Sequence, residues 1–267
     1  TEFTFNPSWS LVDFMLKNNG TKDTALDPGT YSITENALAG WDLTSATCDD
    51  GSEVSAIGLA AGETVTCTFS NTQRGHIIVA KTTLPSDDVP EFTFDPSWGD
   101  TFTLNNGGQK DSGALKPDTY SVAENPLFGW DLETAQCSGD GNTPSRIVLG
   151  AGKTVTCTFT NVKQTAQLRL VKNVDGGSAK PEDWLLSATA AAPYAGRNIE
   201  DAPGNNTEYA PIYADVDYDL SESAGPAKYT PATWECVQDQ VPGVAAADVV
   251  LAGRTVRLDP GTWVTCT

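Results

Sequence analysis

The chain has 267 residues, which is enough for two or three domains of ordinary size. Its 35 acidic and 16 basic side chains leave a net charge of −19, which argues against nucleic acid and anionic membranes as partners, because both are bound through basic surfaces. Abundant Gly and Pro with only 19% charged residues are typical of a folded all-β protein, and no apolar run is long enough for membrane insertion.

The first predicted unit covers residues 1–74 and opens on the alternating segment Glu-Phe-Thr-Phe at 2–5. The same segment recurs at 91–94, and the offset of 89 residues also relates Trp9 to Trp98. A repeat of this length indicates an array of similar domains. Since the first unit begins at the equivalent of residue 91, we expect it to lack the strand with which the second unit opens.

The second predicted unit covers residues 75–163 and is the complete one. Short alternating segments separated by turn sequences such as Asn-Gly-Gly predict strands near 76–82, 91–94, 100–104, 118–124, 129–136, 145–149 and 153–160. Seven short strands in about 90 residues, with no amphipathic helix between them, predict an Ig-like β-sandwich.

The third predicted unit covers residues 164–267 and is more divergent. It keeps, in the same order as the other units, the residues Tyr218, Glu222, Trp234 and Cys236. It contains an insertion at about 190–212 and stops one residue after Cys266, so most of its last strand is expected to be missing.

Together the units predict an all-β chain of three tandem β-sandwiches, of which the first and the last are cut at the chain ends. Two interpretations of the cut ends stay open. The chain is an excerpt of a longer repeat array, or its open sheet edges accept a strand from a neighbouring subunit. Linkers between the units are almost absent, which predicts a semi-rigid rod.

Six cysteines fall two to a unit once the repeats are aligned, and none shows the spacing of a zinc site. An even number of cysteines in a Gly-rich, acidic, all-β chain indicates disulfides formed in an oxidising compartment. The repeat selects one pairing, in which each disulfide closes a loop within its own unit: Cys48–Cys67, Cys137–Cys157 and Cys236–Cys266.

Strand alternation places polar residues on faces that are otherwise apolar. In the second unit these residues are Lys81 in the first strand, Glu124 in a middle strand and Asn161 in the last strand. The other units hold only part of this set, namely Glu35 with Asn71 in the first and Lys172 with Glu222 in the third. Because a buried charge without a partner costs several kcal/mol, we expect the members of each set to meet in the core.

A buried Lys81 beside Asn161 predicts a specific reaction. Burial lowers the pKa of a lysine and raises that of a glutamic acid, so a neutral amine would face an amide next to a protonated carboxyl. Attack of the amine on the amide carbon, assisted by Glu124, would yield a Lys–Asn amide crosslink with loss of ammonia. The alternative is a hydrogen-bonded Lys–Glu–Asn cluster without the bond.

These residues resemble a known group of proteins. Ile-Ile-Val-Ala-Lys at 77–81, Tyr-Ser-Val-Ala-Glu at 120–124 and Thr-Cys-Thr-Phe-Thr-Asn at 156–161 are similar to the prealbumin-like, collagen-adhesin B-type repeats of bacterial surface proteins such as adhesin stalks and pilins. The resemblance implies an intramolecular isopeptide bond between the first-strand Lys and the last-strand Asn, assisted by the acid. The cysteine pair near these strands departs from the family pattern, and a disulfide is an alternative to the isopeptide bond.

Other chemistry is weakly indicated. The single histidine, His76, is expected to lie exposed on the face opposite Lys81, and without a second His or a free Cys neither a Ser-His-Asp site nor a metal hydrolase is tenable. We expect no metal, no cofactor and no enzymatic turnover. The acidic segments 140–142 and 215–219 lack the ligand spacing of a calcium loop. The tryptophans that recur in register are expected to pack in the core or between units.

The sequence therefore predicts a structural segment of a secreted bacterial surface adhesin, stalk or fibre, located at the cell surface. Neighbouring copies in a fibre are the partners that this interpretation implies, while the host or surface ligand is not specified by the sequence. A glycan- or protein-binding β-sandwich module is the first alternative. A filament subunit that exchanges strands with its neighbours is the second.

Overall fold

The computed structural model describes residues 1–86, 90–240 and 249–267, and these residues form almost nothing but short strands. Two short 3-10 helices, Pro181–Asp183 and Tyr194–Arg197, are the helical elements of the described chain. Within the same residues, no helix has the length and the apolar character that crossing a membrane requires. The chain is all-β and consists of tandem sandwiches, as the alternating sequence predicts.

The first repeat contains seven strands: β1 Glu2–Pro7, β2 Phe14–Lys17, β3 Gly29–Tyr31, β4 Ile33–Glu35, β5 Trp41–Cys48, β6 Ile57–Leu59 and β7 Cys67–Gln73. They form three small antiparallel sheets, in the orders β2-β1-β4, β3-β6 and β5-β7. In the described structure β7 pairs with β5 alone, so its other edge is open.

The second repeat contains nine strands: β8 His76–Leu84, β9 Phe92–Pro96, β10 Phe102–Leu104, β11 Gln109–Asp111, β12 Asp118–Tyr120, β13 Val122–Glu124, β14 Trp130–Cys137, β15 Ile147–Leu149 and β16 Thr154–Lys163. The sheet β11-β8-β16-β14 packs against the sheet β10-β9-β13, and β12 pairs with β15. The first and last strands, β8 and β16, are parallel neighbours, whereas every other pair in this repeat is antiparallel.

The third repeat also contains nine strands: β17 Thr165–Leu170, β18 Leu185–Thr189, β19 Ile199–Pro203, β20 Ala210–Tyr213, β21 Tyr218–Glu222, β22 Cys236–Gln238, β23 Val250–Ala252, β24 Thr255–Arg257 and β25 Trp263–Cys266. Their sheets have the orders β20-β17-β25-β22 and β19-β18-β21-β24-β23. The parallel pair β17–β25 has the place that β8–β16 has in the second repeat.

Three separate hydrophobic cores follow the three repeats along the chain. The core of the second repeat is centred on fully buried residues such as Ile77, Val79, Phe92 and Phe94, which alternate along β8 and β9. The core of the first repeat holds only four buried side chains. In the described structure no strand pairs with the second edge of β7, and its inward-facing residues Cys67 and Phe69 are only partly buried.

The structure differs from the predicted strands in two places in the second repeat. The segment 118–124 is two strands and not one, because the chain switches sheets at Ser121: β12 pairs with β15, and β13 pairs with β9. The short strand β11 was not predicted, because Gln-Lys-Asp has no apolar alternation and lies fully exposed at the sheet edge.

The third repeat differs from the sequence prediction in two places. Its last strand, of which most was predicted to be missing, is present as the four residues of β25, held between β17 and β22 and ending at the equivalent of Cys157 in β16. The predicted insertion at 190–212 contains β19 and β20, and β20 pairs with β17 as β11 pairs with β8. Part of that segment is therefore a regular edge strand of the sandwich.

Candidate crosslinking site

Lys81 and Asn161 meet because the two strands that carry them are parallel neighbours. In the register of β8 and β16, Lys81 lies opposite Phe159, so Asn161 is two residues further along on the same face. Both residues are buried, with exposed fractions of 1% and 2%. The two residues are 80 positions apart in the sequence, so the contact is made entirely by the tertiary fold.

Glu124 reaches the same point from the facing sheet. It ends β13, which pairs with β9 through Phe94, and its side chain is only 3% exposed. The polar cluster thus lies between the two sheets of the second repeat, with β8 and β16 on one side and β13 on the other.

The three side chains form a hydrogen-bonded chain. The Nζ atom of Lys81 donates to Oδ1 of Asn161 at 2.7 Å, and Nδ2 of Asn161 donates to Oε1 of Glu124 at 2.6 Å. Nζ also donates to the carbonyl oxygen of Thr82 at 2.8 Å. The second carboxyl oxygen of Glu124, Oε2, is buried without a hydrogen-bond partner and lies 3.8 Å from Nζ.

Burial dominates the electrostatics of this cluster. Desolvation lowers the pKa of Lys81 to about 8, although the nearby charge of Glu124 opposes the shift. Desolvation likewise raises the pKa of Glu124, against the hydrogen bond from Asn161 and the charge of Lys81. Both shifts favour the uncharged forms, a free amine and a protonated carboxyl.

A fourth residue of the site was not predicted from the sequence. The ring of Phe92, on β9, lies over Lys81 with its centroid 4.0 Å from Nζ. It forms an apolar wall that excludes water from the amine. The alternation of the recurring Glu-Phe-Thr-Phe segment indicates that Phe92 is buried, but no local pattern shows that it faces Lys81.

The geometry is suited to amide exchange between Lys81 and Asn161. Nζ contacts the oxygen bonded to the amide carbon that it would attack, and the amide nitrogen that would leave contacts the carboxyl that could protonate it. A neutral amine has two N–H groups, and Nζ has two short acceptors, which leaves its lone pair unused. The carboxyl of Glu124 contacts the departing nitrogen through Oε1 and lies 3.8 Å from Nζ through Oε2, so it is placed to exchange protons with both nitrogens.

The incomplete sets in the other repeats also come together as pairs. In the first repeat, Nδ2 of Asn71 donates to Oε2 of Glu35 at 2.9 Å, which reproduces the Asn161–Glu124 contact. In the third repeat, Nζ of Lys172 lies 2.5 Å from Oε2 of Glu222. Each pair is half-buried, so neither reproduces the closed environment of Lys81.

All six cysteines form disulfides with the predicted pairing, Cys48–Cys67, Cys137–Cys157 and Cys236–Cys266. Each joins directly opposed residues of two antiparallel strands. In the second repeat the disulfide links β14 to β16, whereas Lys81 and Asn161 lie on β8 and β16. The two covalent links would therefore hold different strand pairs.

His76 and the four recurring tryptophans are not members of the hydrogen-bonded cluster, although Trp130 packs on Phe92. His76 is partly exposed, and its Nδ1 lies 2.9 Å from Oδ1 of Asp111. The four recurring tryptophans pack edge-on against aromatic rings of their own repeat: Trp9 on Tyr31, Trp41 on Phe3, Trp98 on Tyr120 and Trp130 on Phe92. Within the described residues, no group of three or more His, Cys, Asp or Glu side chains is arranged to hold a metal ion.

Comparison with family models identifies the fold. Residues 12–73 and residues 163–267 each match a model described as a prealbumin-like fold domain, and together the two matches cover more than half of the chain. The second repeat lies between these two matches. It is a sandwich whose first and last strands are parallel neighbours and whose Lys–Glu–Asn cluster lies between its sheets. The chain belongs to the prealbumin-like fold domains. A comparison with curated proteins found no match.

Solved structures similar to the chain include the following three proteins. The Bacillus anthracis TIE protein is 13% identical with a TM-score of 0.42, and the match covers 88% of this chain and 51% of that one, so the chain spans about half its length. The C-terminal fragment of pilus adhesin SpaC from Lactobacillus rhamnosus GG is 15% identical with a TM-score of 0.37, covering 72% and 97%. The major pilin protein T3.2 of Streptococcus pyogenes serotype GAS13637 is 13% identical with a TM-score of 0.38, covering 73% and 97%.

Proposed function

We propose that this chain is a load-bearing segment of a bacterial surface fibre or adhesin stalk, exposed outside the cell. The observation that carries the proposal is the contact of Lys81, Asn161 and Glu124 between the first and last strands of the second repeat. Membership of the prealbumin-like fold domains and three intrarepeat disulfides agree with it. The chemistry we propose is a single self-crosslinking event and not turnover.

The proposed reaction joins the two strands through an amide. The lone pair of neutral Lys81 Nζ attacks Cγ of Asn161, and Glu124 transfers its proton to the departing Nδ2, while a proton of the attacking nitrogen returns to the carboxylate. The new C–N bond replaces the old one, ammonia leaves, and Glu124 ends protonated. Since the groups are held in contact, one slow reaction for each molecule suffices.

The position of this bond matches a mechanical role. The chain enters the second repeat at the start of β8 and leaves it at the end of β16, on parallel strands that would be sheared by a pulling force. A bond between Lys81 and Asn161 would carry that force from one strand to the other. The chain between these residues, including the Cys137–Cys157 disulfide, would then bear no load.

We also propose that the chain comprises three units with the boundaries 1–74, 75–163 and 164–267. The three hydrophobic cores share no residue, which supports this division. The connections are short, since β7 ends at Gln73 before β8 begins at His76, and a single residue separates β16 from β17. Short connections favour a semi-rigid rod, as the stalk role requires.

Intact mass spectrometry of the reduced, denatured full chain tests the proposal. The expected mass is lower than that of the reduced sequence by one ammonia, because only the second repeat holds all three groups. Lys81→Met and Asn161→Ala should each restore the full mass, whereas Lys110→Met, at an exposed position of β11, should not. A wild-type chain with the full mass would leave the hydrogen-bonded cluster and refute the crosslink.

A further inference from the structure

The chain crosses from one repeat to the next at two equivalent junctions that differ in their charges. At the first junction Arg74 donates to both carboxyl oxygens of Asp42, at 2.9 and 2.7 Å. This bidentate pair lowers the pKa of Asp42, and Lys116 of the second repeat adds to the effect. The carboxylate at the first junction is thus neutralised by the chain itself.

At the second junction the arginine is replaced by Gln164. Its Nε2 donates to Oδ1 of Asp131 at 2.5 Å, and its backbone N–H bonds Gly129 as Arg74 bonds Gly40. An amide satisfies the hydrogen bond but supplies no charge. Asp259 of the third repeat lies at the same junction and makes no ion pair within the described part of the chain.

An open groove of about 610 Å³ lies at the second junction, between the segment 126–131 and the residues Gln164, Asp259 and Pro260. Phe128 lines it and is 72% exposed, although the equivalent residue at the first junction is Ala39. A large aromatic side chain left in water contributes little to folding, so the stalk role does not account for it.

One cation limits the negative charge of this groove. Nζ of Lys163 lies 5.3 Å from the Trp130 ring and 5.9 Å from the ring of Tyr194, so it sits between the two repeats. Lys163 does not approach Asp131 or Asp259 within ion-pair distance. The groove keeps a net negative charge, while the first junction, with Arg74 and Lys116 against Asp42, does not.

We propose that the groove at the second junction binds a basic peptide segment in which an aromatic side chain neighbours Arg or Lys. The aromatic side chain packs on Phe128, and the cationic side chain lies between Asp131 and Asp259. This site is a binding function added to the stalk, and it does not depend on the Lys81–Asn161 crosslink. The first junction serves as a natural control, because it has the same backbone path with Ala39 and Arg74.

The test is a titration of the isotope-labelled full chain by amide NMR with the capped peptide Gly-Arg-Phe-Arg-Gly. The amide signals of 127–131 and Gln164 should shift and saturate, whereas those of 37–42 at the first junction should not. The peptides Gly-Glu-Phe-Glu-Gly and Gly-Arg-Gly-Arg-Gly should bind more weakly, because each lacks one of the two recognised features. Phe128→Ala should weaken binding about five-fold, through the lost apolar contact.

Gln164→Arg is the sharper variant, because it installs the arginine of the first junction. It should pair with Asp131 and weaken binding about five-fold while the rest of the spectrum stays unchanged. Asp259→Asn should have an effect of the same size. Equal shifts at acidic positions over the whole surface, or binding that neither Phe128→Ala nor Gln164→Arg weakens, would show general attraction to an acidic protein and overturn the proposal.

Discussion

At the residue scale, the distinguishing feature of the second repeat is a lysine whose amine is buried by the fold. Lys81 lies between the ring of Phe92 and the amide of Asn161, and a pKa of about 8 leaves a substantial neutral fraction near physiological pH. Half-buried Lys172 and Glu222 of the third repeat show the same residue types in a wetter setting. Burial, and not residue identity, separates the two environments.

Glu124 should be required for the crosslink and for stability in separable ways. Glu124→Gln keeps a hydrogen-bond acceptor for Asn161 but cannot exchange a proton, so we expect a folded chain with the full, uncrosslinked mass. Glu124→Ala also leaves Lys81 without its carboxyl partner, and the free energy of unfolding should fall by about 3–5 kcal/mol.

Urea unfolding and intact mass of both variants check these effects. Glu133→Gln, on the exposed face of β14, is the matched control and should change neither the mass nor the unfolding midpoint. Unaltered crosslinking in Glu124→Gln would remove the carboxyl from the mechanism. An unaltered midpoint in Glu124→Ala would contradict the buried-cluster argument.

The rate of crosslinking should depend on pH through Lys81. Burial lowers the pKa of this amine to about 8, so the neutral fraction falls about ten-fold for each pH unit below that value. After refolding of a denatured, newly made chain, the initial rate should rise with pH up to about 8 and then stop rising. Loss of the Glu124 proton would lower it again, because the acid form is needed.

Refolding at a series of pH values, quenched in acid and followed by intact mass, measures this profile. The fold itself should be checked by circular dichroism at each pH. A rate that is constant from pH 5 to 9, with an intact fold, would mean that deprotonation of Lys81 is not required.

At the element scale, the first repeat shows what a sandwich is like without a strand beside its last one. In β16, which pairs with β8, Phe159 and Asn161 are each 2% exposed. The equivalent residues of β7, Phe69 and Asn71, are half-buried. The open edge of β7 presents unpaired backbone groups together with the Asn71–Glu35 pair. The edge of β7 with its Asn71–Glu35 pair therefore resembles β16 with its Asn161–Glu124 pair as that strand would be without β8 beside it.

A peptide with the sequence of β8, HIIVAKTTL, should therefore add to the edge of β7 in parallel. By the register of the second repeat, its Lys would lie opposite Phe69 and reach Asn71. We expect a covalent adduct, whose mass is the sum of peptide and chain less one ammonia.

Two matched controls accompany this experiment. The peptide with Ala in place of Lys should bind without forming the adduct, and Asn71→Ala should have the same result with the original peptide. Absence of any adduct or binding would show that the edge of β7 is not a strand acceptor.

The disulfide of the second repeat should contribute stability independently of the crosslink. Cys137–Cys157 closes a loop with a sequence separation of 20, and removal of a disulfide of this loop length costs about 3 kcal/mol on the chain-entropy model. The double variant Cys137→Ala and Cys157→Ala should lower the unfolding free energy by that amount and leave the loss of ammonia intact. A variant that no longer crosslinks would show that the disulfide is needed to align β16.

At the scale of the whole molecule, the proposed Lys81–Asn161 bond would carry load, whereas the disulfide of the second repeat would stabilise the fold. Stretching single molecules by their termini should extend an oxidised wild-type second repeat hardly at all, because the Lys81–Asn161 bond carries the force. Lys81→Met should add the extension of the chain between β8 and β16. A reducing agent should lengthen the extension of Lys81→Met further, because its disulfide becomes loaded, and should not lengthen the wild-type repeat.

Lys110→Met is the control for these stretching traces and should behave as the wild type. Wild-type traces that contain the full extension of the second repeat would refute the load path. Such traces from molecules that also lack the loss of ammonia would place the failure at the chemistry, whereas traces from crosslinked molecules would place it at the mechanics.

The sequence by itself determined the features that depend on periods of two and of about 90 residues. Alternation identified most strands of the second repeat and placed Lys81, Glu124 and Asn161 on buried faces, because successive side chains of a strand point to opposite sides. The recurrence of cysteines in register selected the three disulfides, since a pairing that repeats must lie within each repeat.

Only the tertiary structure decided which of these residues meet. The parallel register of β8 and β16 joins residues 80 positions apart, and Glu124 arrives from the other sheet because the chain changes sheets at Ser121. Neither feature leaves a local pattern, and the same is true of the ring of Phe92 over Lys81 and of the groove beside Phe128. Strand order and sheet packing are non-local properties, because they depend on the burial of the whole core and not on the period of any single segment.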